Sequence, residues 1–563
     1  MALLAIALCW IAAPAQAATR SHATRPPLAD VEVPLFPVAD LSVTPPGFRV
    51  SAQRALEVAK TSPTMLAIHR KHHPLQIRVY ALVRQHYEVY FFFGSKIVGD
   101  VLVGRDGRRG PTYTGPLTLA SYGRGHYGDV FDSPWVFLPF GLLFLVPLVR
   151  LRRAGGSAWL ARLDLAMVLS FGVSYALFNH AHLVPAVWLA YPPLLYLMAR
   201  MLVRGRSGGA SAGLECRMPI WLLAAGLVAL AGARIALTLD PAHVMDVGAA
   251  SAIGAAKILH GQSIYFPSLG HPDTYGPIAY LAYAPAQLIW PGADWASYLP
   301  SVRATTIAFD LLTVGGLVLL GTRLRAGREG RRLGLVMAWL WAACPFTLLG
   351  LVKNTNDGLV ALLMVLVMLT LNAPVRRGLV LGLAAAAKFS PAILLPLLAA
   401  PAPGGQWQRT RKVLAGFVVA VGGSVALFLP PGGIGEMYDH TIGYQLTRVD
   451  VFSPWALHPS LAPLKVGVEV AVIALGFVLA VRPRGVRSPA QVAALAAALT
   501  IAVQLPAVHW FYLYIVWFVP LVLVAVLAAD VPAPVPALEP LAETPDVPTL
   551  DRPDPEPAAL VGT

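Results

Sequence analysis

Long apolar runs recur along this chain, and their length more than anything else limits what it can fold into. They lie near residues 135–150, 163–182, 184–202, 218–239, 303–322, 333–352, 357–372, 413–430, 464–481, 489–505 and 506–529. A helix needs about 20 apolar residues to cross a hydrocarbon core of ~30 Å, and several of these runs reach 16 to 22. With 56% hydrophobic and only 13% charged residues among 563, a soluble fold would need most of its helices to be apolar all round. The expectation is an all-α polytopic membrane protein.

The net charge of +14 suggests nucleic acid until its distribution is read. Basic residues gather in the short links: Arg150, Arg152 and Arg153; Arg200, Arg204 and Arg206; Arg323 to Arg332; Arg376 and Arg377; Arg409 to Lys412; Arg482 to Arg487. Such links stay on the cytoplasmic side, so the charge reports orientation and attraction to anionic lipid, and no nucleic-acid partner is expected. Two segments are placed by the same rule. Residues 276–290 hold two prolines; if they crossed, "RLRAGREGRR" would fall outside, so they lie at the outer surface. Residues 378–400 resemble one span, but one span would export "RTRK". A break at Lys388-Phe389-Ser390-Pro391, where proline removes a helix hydrogen bond, makes two short limbs with Lys388 at the outer tip. The count becomes about 13 membrane segments including this short hairpin.

The ends divide the chain further. Residues 1–17 read as a signal peptide ending in Ala15-Gln16-Ala17, although the basic n-region is missing and an uncleaved anchor is the alternative. Residues 18–130 are polar enough to be an exported α+β domain. Ser51 can cap a helix over "AQRALEVAK", and "QIRVYALVRQHYEVYFFFGSKIVGDVLVGRDGR" alternates at period two. This domain resembles PepSY-like modules. Residues 131–217 supply three additional spans, 218–529 a membrane core, and 530–563 a disordered, acidic, proline-rich tail left in the cytoplasm. The three cysteines, Cys9, Cys216 and Cys344, offer no exported disulfide. The whole reads as a multi-pass protein of a bacterial plasma membrane with an exoplasmic N-terminal domain.

Chemistry is expected on the outer face. In "TLDPAHVMDVGAASAIGAAKILHGQSIY" (238–265) two acids follow a span, and a carboxylate at a membrane boundary is costly unless solvated or paired. Asp240 precedes a proline and reads as a turn residue; Asp246 stands two helical turns into the surface segment. Here the residues reach a resemblance. "MDVGAASAIGAAKILHGQSIYFPSLGHPDTYGPIAYLAYAP" resembles the first external loop of GT-C glycosyltransferases of the family 87, mannosyltransferase-like kind, with Asp246, Gly261, Tyr265 and Tyr275-Gly276-Pro277 at the places of its motif. The usual double proline is replaced by Gly-Pro. "GLAAAAKFSPAILLPLL" is similar to a later signature of that family and "HWFYLYIVWFVPLV" to its last spans, so the resemblance covers about residues 218–529.

The resemblance implies an inverting enzyme that takes a sugar, mannose or another hexose or pentose, from a polyprenyl-phosphate donor and delivers it to an envelope glycan, lipid or protein. Such a site needs a base for the acceptor hydroxyl and cations for the departing phosphate. Asp246 is the expected base and Lys388 the expected phosphate partner. Arg448, Gln445, Tyr275, His271, Asp273, Asn356, Asp357 and His509 are the other expected substrate-binding residues. No cofactor is expected; a divalent metal on His243 and Asp246, or on His271 and Asp273, is the alternative. Arg234 and Asp310 sit at similar depths on neighbouring spans and are expected to form a structural ion pair. A transporter or flippase of lipid-linked sugars and a non-catalytic assembly factor remain as competing readings.

Overall fold

The structure is a computed structural model that describes residues 36–38, 41–42, 44, 48–82, 86–93, 96–114, 118, 134–153, 158–179, 182–206, 214–239, 245–265, 274–292, 295–400, 407–447, 452–482 and 487–528. The expected signal peptide, the acidic tail and the side chain of Asp246 lie outside the described residues, as do Asp240, His243, His271, Asp273 and Arg448.

The N-terminal part is an antiparallel sheet in the order β1 (Phe36–Pro37), β2 (Gln76–Leu82), β3 (His86–Phe93), β4 (Lys96–Gly104) and β5 (Arg109–Thr114). Helices α1 (Ala52–Lys60) and α2 (Pro63–Lys71) accompany it. Ser51 caps α1 by accepting from the Arg54 N–H at 3.4 Å. The period-two pattern places Val79, Ala81, Tyr87, Val89, Phe91, Val101 and Val103 in one buried cluster with Ala52, Ala55, Ala59 and Met65 of the helices.

The rest is helical: α3 (Pro134–Val149), α4 (Trp159–Asn179), α5 (Leu183–Arg206), α6 (Ile220–Thr238), α7 (Asp246–Leu259), α8 (Pro277–Leu281), α9 (Ala284–Ile289), α10 (Trp295–Leu324), α11 (Gly327–Ala343), α12 (Pro345–Val352), α13 (Asp357–Leu369), α14 (Pro374–Ala387), α15 (Leu395–Ala399), α16 (Trp407–Leu427), α17 (Ala462–Val481), α18 (Pro489–Ala502) and α19 (Ile515–Leu527). Short helical turns fill 433–447 and 454–461. Strands β6 (Leu151–Arg153) and β7 (Leu214–Cys216) pair antiparallel. Cys216 and Cys344 are free and buried.

Among the described residues six helices are long and apolar enough to cross a membrane, or seven if α11 and α12, bent by 61°, count as one span. The expected total of about 13 is therefore not reached on that measure. The physical reason is visible in the shorter helices. Helices α13, α18 and α19 have 13, 14 and 13 residues, about 20 Å each at 1.5 Å per residue. Their side chains are buried nearly all round, so they meet protein instead of lipid and need not match its thickness. The lipid-facing role falls to longer helices such as α6 and α17, which expose Trp221, Val228, Val470 and Phe477.

The three helices before residue 217 are packed into this interior. Ser174 of α4 shares a 2.7 Å hydrogen bond with the Tyr512 hydroxyl; Phe171 stacks on Trp510, and Phe178 meets Phe511 edge-on. Trp339 of α11 donates to the Leu143 carbonyl of α3 at 2.9 Å. Buried residues of these helices and of the later ones belong to one hydrophobic cluster.

Arginines from the basic links gather at one end and cap helix C-termini. Arg323 donates to Leu369 O at 3.1 Å, Arg325 to Leu527 O at 2.9 Å and Arg487 to Ala480 O at 3.3 Å. A planar guanidinium suits carbonyls left without helix partners, at the negative end of the helix dipole. Helices α13 and α19 begin at the opposite end, with Asp357 and Ile515. That end holds the candidate site.

Candidate functional site

Three chain segments meet there. The first is the turn 353–356 between α12 and α13. Asn354 holds the left-handed conformation, φ 55°, a state asparagine tolerates better than most residues. Its side chain accepts from Thr306 at 3.0 Å and donates to Val352 O at 2.9 Å, so the turn is tied to α10 and to itself. The whole run Lys353, Asn354, Thr355, Asn356 and Asp357 is buried.

The second segment is the start of α7. The Met245 N–H donates to Lys353 O at 3.0 Å, and Met245 is the residue before Asp246, the first of the helix. One turn on, a Cβ added to Gly248 would stand 2.1 Å from Asn354 O; only glycine lets the two backbones approach so closely. Asn356 adds a bond from its amide nitrogen to Ser251 Oγ at 3.1 Å, while its amide oxygen is buried with no partner among the described residues. The N-terminus of α7, and with it the Asp246 backbone, is docked onto the 353–356 turn.

The third segment is the break at Lys388. Helix α14 ends at Ala387, Lys388 is extended (φ −138°, ψ 137°), and Ser390–Leu394 form a tight 3-10 turn before α15. Helices α14 and α16 run side by side in the same direction, Gly378 against Val413 and Gly382 against Phe417. The limb after the break returns to the start of α16, where Thr410 donates to Ala399 O at 2.7 Å. Residues 378–400 thus form two short limbs with Lys388 at the tip. The tip is seated by the Tyr275-Gly276-Pro277 turn: Gly276 N–H donates to Ala387 O at 3.2 Å, and a Cβ on Gly276 would lie 2.0 Å from Ala386 O. Residues 276–290 lie as two short helices, α8 and α9, not as a span.

Lys388 is not the isolated lysine that its apolar neighbours suggest. Its ammonium donates to Asp357 Oδ1 at 2.5 Å, and the Trp517 indole N–H donates to the same oxygen at 2.7 Å. The rings of Tyr275, Tyr514 and Trp517 surround the ammonium at 5.2, 5.9 and 5.1 Å, distances at which a cation is attracted by aromatic faces. About a tenth of the Lys388 side chain remains accessible, against 1% for Asp357. No sequence signal announced this pair, because its partners are separated by a complete helix and a turn.

The other expected residues fall as follows. Tyr275 belongs to the cage around Lys388. Asn356 and Asp357 stand at the head of α13. His509 is partly buried against Phe452, Phe511 and Tyr514, so it touches the cage through Tyr514. Gln445 is partly buried in the Tyr444–Thr447 turn, and among the described residues no contact ties it to Lys388. Trp517 and Tyr514 were missed; both lie in a run whose aromatic spacing reads as an ordinary apolar span. The expected Arg234–Asp310 pair is present and bidentate, at 2.6 and 3.0 Å, with Trp341 donating to the same carboxylate at 2.9 Å. Among the described residues no group of three or more His, Cys, Asp or Glu could hold a metal.

Residues 274–509 match glycosyltransferase family 87. The match takes in Tyr275, Asn356, Asp357, Lys388, Gln445 and His509; it leaves out Asp246, Tyr514 and Trp517 and is narrower than the 218–529 expected from motif order. It does not extend to the helix-and-sheet domain at the N-terminus. No curated protein matches the chain.

Proposed function

We propose that this chain, whose residues 274–509 carry a glycosyltransferase family 87 domain, transfers a sugar from a polyprenyl-phosphate donor with inversion at the anomeric carbon, on the exoplasmic face. The family supports glycosyl transfer in general. The observation that supports the finer reading is the meeting of the α7 start, the 353–356 turn and the Lys388 tip at the end of the bundle away from the arginine-capped helix ends.

In this reading Asp246 accepts the proton of an acceptor hydroxyl. The oxygen attacks the anomeric carbon as the bond to the phosphate oxygen breaks, and the electron pair leaves on the lipid phosphate. Lys388 faces that phosphate, whose charge grows as the bond breaks, so the cation is worth more in the transition state than in the ground state. Tyr275 and His509 border the donor, and Asn356, as buried as Asp357, supports that border from the head of α13; His271, Asp273, Gln445 and Arg448 contact sugar or acceptor from the loops. A mannosyl or other hexosyl or pentosyl donor and a cell-envelope acceptor complete the proposal.

The test uses the full chain in membrane vesicles supplied with labelled polyprenyl-phosphate sugars. Asp246→Asn is expected to abolish transfer and to leave donor binding near wild type. Transfer by that variant at the wild-type rate would remove the base and leave a transporter or a scaffold as the better account.

A further inference from the structure

Lysine can donate three hydrogen bonds and carries a charge that is costly to leave bare in an apolar interior. Lys388 is neutralised by Asp357 at 2.5 Å, and the carboxylate is fixed from behind by the Trp517 N–H. The geometry is one-sided. Asp357 keeps 1% of its surface and Lys388 about 10%, so a ligand phosphate can reach the ammonium but not the carboxylate. Two anions then compete for one cation.

From this geometry, and resting on the glycosyl-transfer reading above, we infer that Asp357 is a positioning residue that acts through Lys388 as a resident counter-ion, and that it promotes departure of the spent lipid phosphate. When the glycosidic bond breaks, a phosphodiester with one negative charge becomes a monoester approaching two. A bare buried lysine would hold that product tightly. With Asp357 in place, the ammonium returns to an internal partner as the phosphate leaves, and no unpaired charge remains. The carboxylate therefore weakens binding of lipid phosphate and speeds turnover. An orienting or purely structural carboxylate would have the opposite effect on binding, because losing it would loosen Lys388.

The sign of one measurement separates these. Binding of a polyprenyl monophosphate is compared with binding of the same polyprenol lacking phosphate, on the purified full-length protein in detergent. The ratio isolates the phosphate contribution and requires no knowledge of the sugar. Wild type is expected to prefer the phosphate, and Lys388→Met to lose that preference. Asp357→Asn is expected to bind the phosphate about tenfold tighter than wild type, with polyprenol binding unchanged. Asp357→Asn combined with Lys388→Met should show no preference, since the counter-ion has nothing left to act through. Weaker or unchanged phosphate binding by folded Asp357→Asn overturns the inference while Lys388 keeps its place. Absence of any preference in wild type, or its survival in Lys388→Met, overturns the donor-phosphate reading itself.

Removing one partner of a buried pair can also prevent folding. In that event polyprenyl monophosphate, added during purification, should substitute for the lost carboxylate and rescue Asp357→Asn, as polyprenol should not. Failure of the phosphate to rescue it equally overturns the inference.

Discussion

Gly248 carries an unusual share of the site for a residue without a side chain. Its α-carbon lets α7 approach the Asn354 carbonyl, and a methyl group there would stand 2.1 Å from that oxygen. Gly248→Ala should therefore push the start of α7 outward and misplace Asp246. A displacement of this kind is worth about 100-fold in rate, with little change in thermal midpoint because the docking is local. Steady-state transfer beside a detergent melting curve checks it. The buried Arg234–Asp310 pair makes the contrary prediction. Arg234→Met leaves Asp310 and its Trp341 donor without a cation, which costs about 3–5 kcal/mol. Arg234→Met with Asp310→Leu should recover most of the midpoint, as replacing both charges removes the desolvation cost along with the attraction. A double variant as unstable as the single one would mean that the pair has a role beyond its own neutralisation. Metal dependence belongs at this scale too. If Lys388 alone meets the phosphate, EDTA should leave transfer unchanged; loss restored by added divalent ion would favour the His and Asp pairs at 243, 246, 271 and 273.

At the scale of elements, the helices before residue 217 support the aromatic wall of the site. Ser174 holds Tyr512, and Tyr512 opens the turn that ends at Tyr514, one of the three rings around Lys388. Tyr175 and Phe178 pack against Tyr512, and Phe171 stacks on Trp510 just before that turn. At the other end Arg204 donates to the Ala525 carbonyl of α19. A chain starting at residue 218 should accordingly lose the compact form of the full protein, seen as an aggregated instead of a monodisperse peak in detergent, together with transfer activity. Full activity in the shortened chain would show that the residues from 218 onward hold the site unaided.

For the whole molecule, the arginine-capped end and the Asp357 end are distinct, and the basic-link rule assigns the first to the cytoplasm. Engineered cysteines can test this in sealed cells. Gly327 and Gly433 adopt left-handed backbone, φ 62° and 77°, so their neighbours Arg328 and Ile434 are the better positions. Cys216 and Cys344 are buried, and Cys9→Ser in the test background removes the third thiol. A membrane-impermeant maleimide should label Ile434→Cys and leave Arg328→Cys untouched; the reverse pattern would invert the protein and move the proposed chemistry inside.

The membrane class, the helix break at Lys388, the failure of 276–290 to form one long helix and the Arg234–Asp310 pair were legible in the sequence. Each follows from local hydrophobic length, from proline chemistry or from the cost of charge in an apolar run, and these act over a few residues or along one helix. The small sheet was legible for the same reason, since the period-two alternation is a property of one strand at a time. Which charges meet was not legible. Lys388 is 31 residues from Asp357 and the Trp517 indole 160 residues away, and all three stand in runs whose composition says only that they are buried. Nor could sequence show that α13, α18 and α19 are too short to span on their own measure yet are enclosed by other helices. Burial by protein and burial by lipid demand the same apolar residues, so only the packed structure tells the two apart and decides which carboxylate neutralises Lys388.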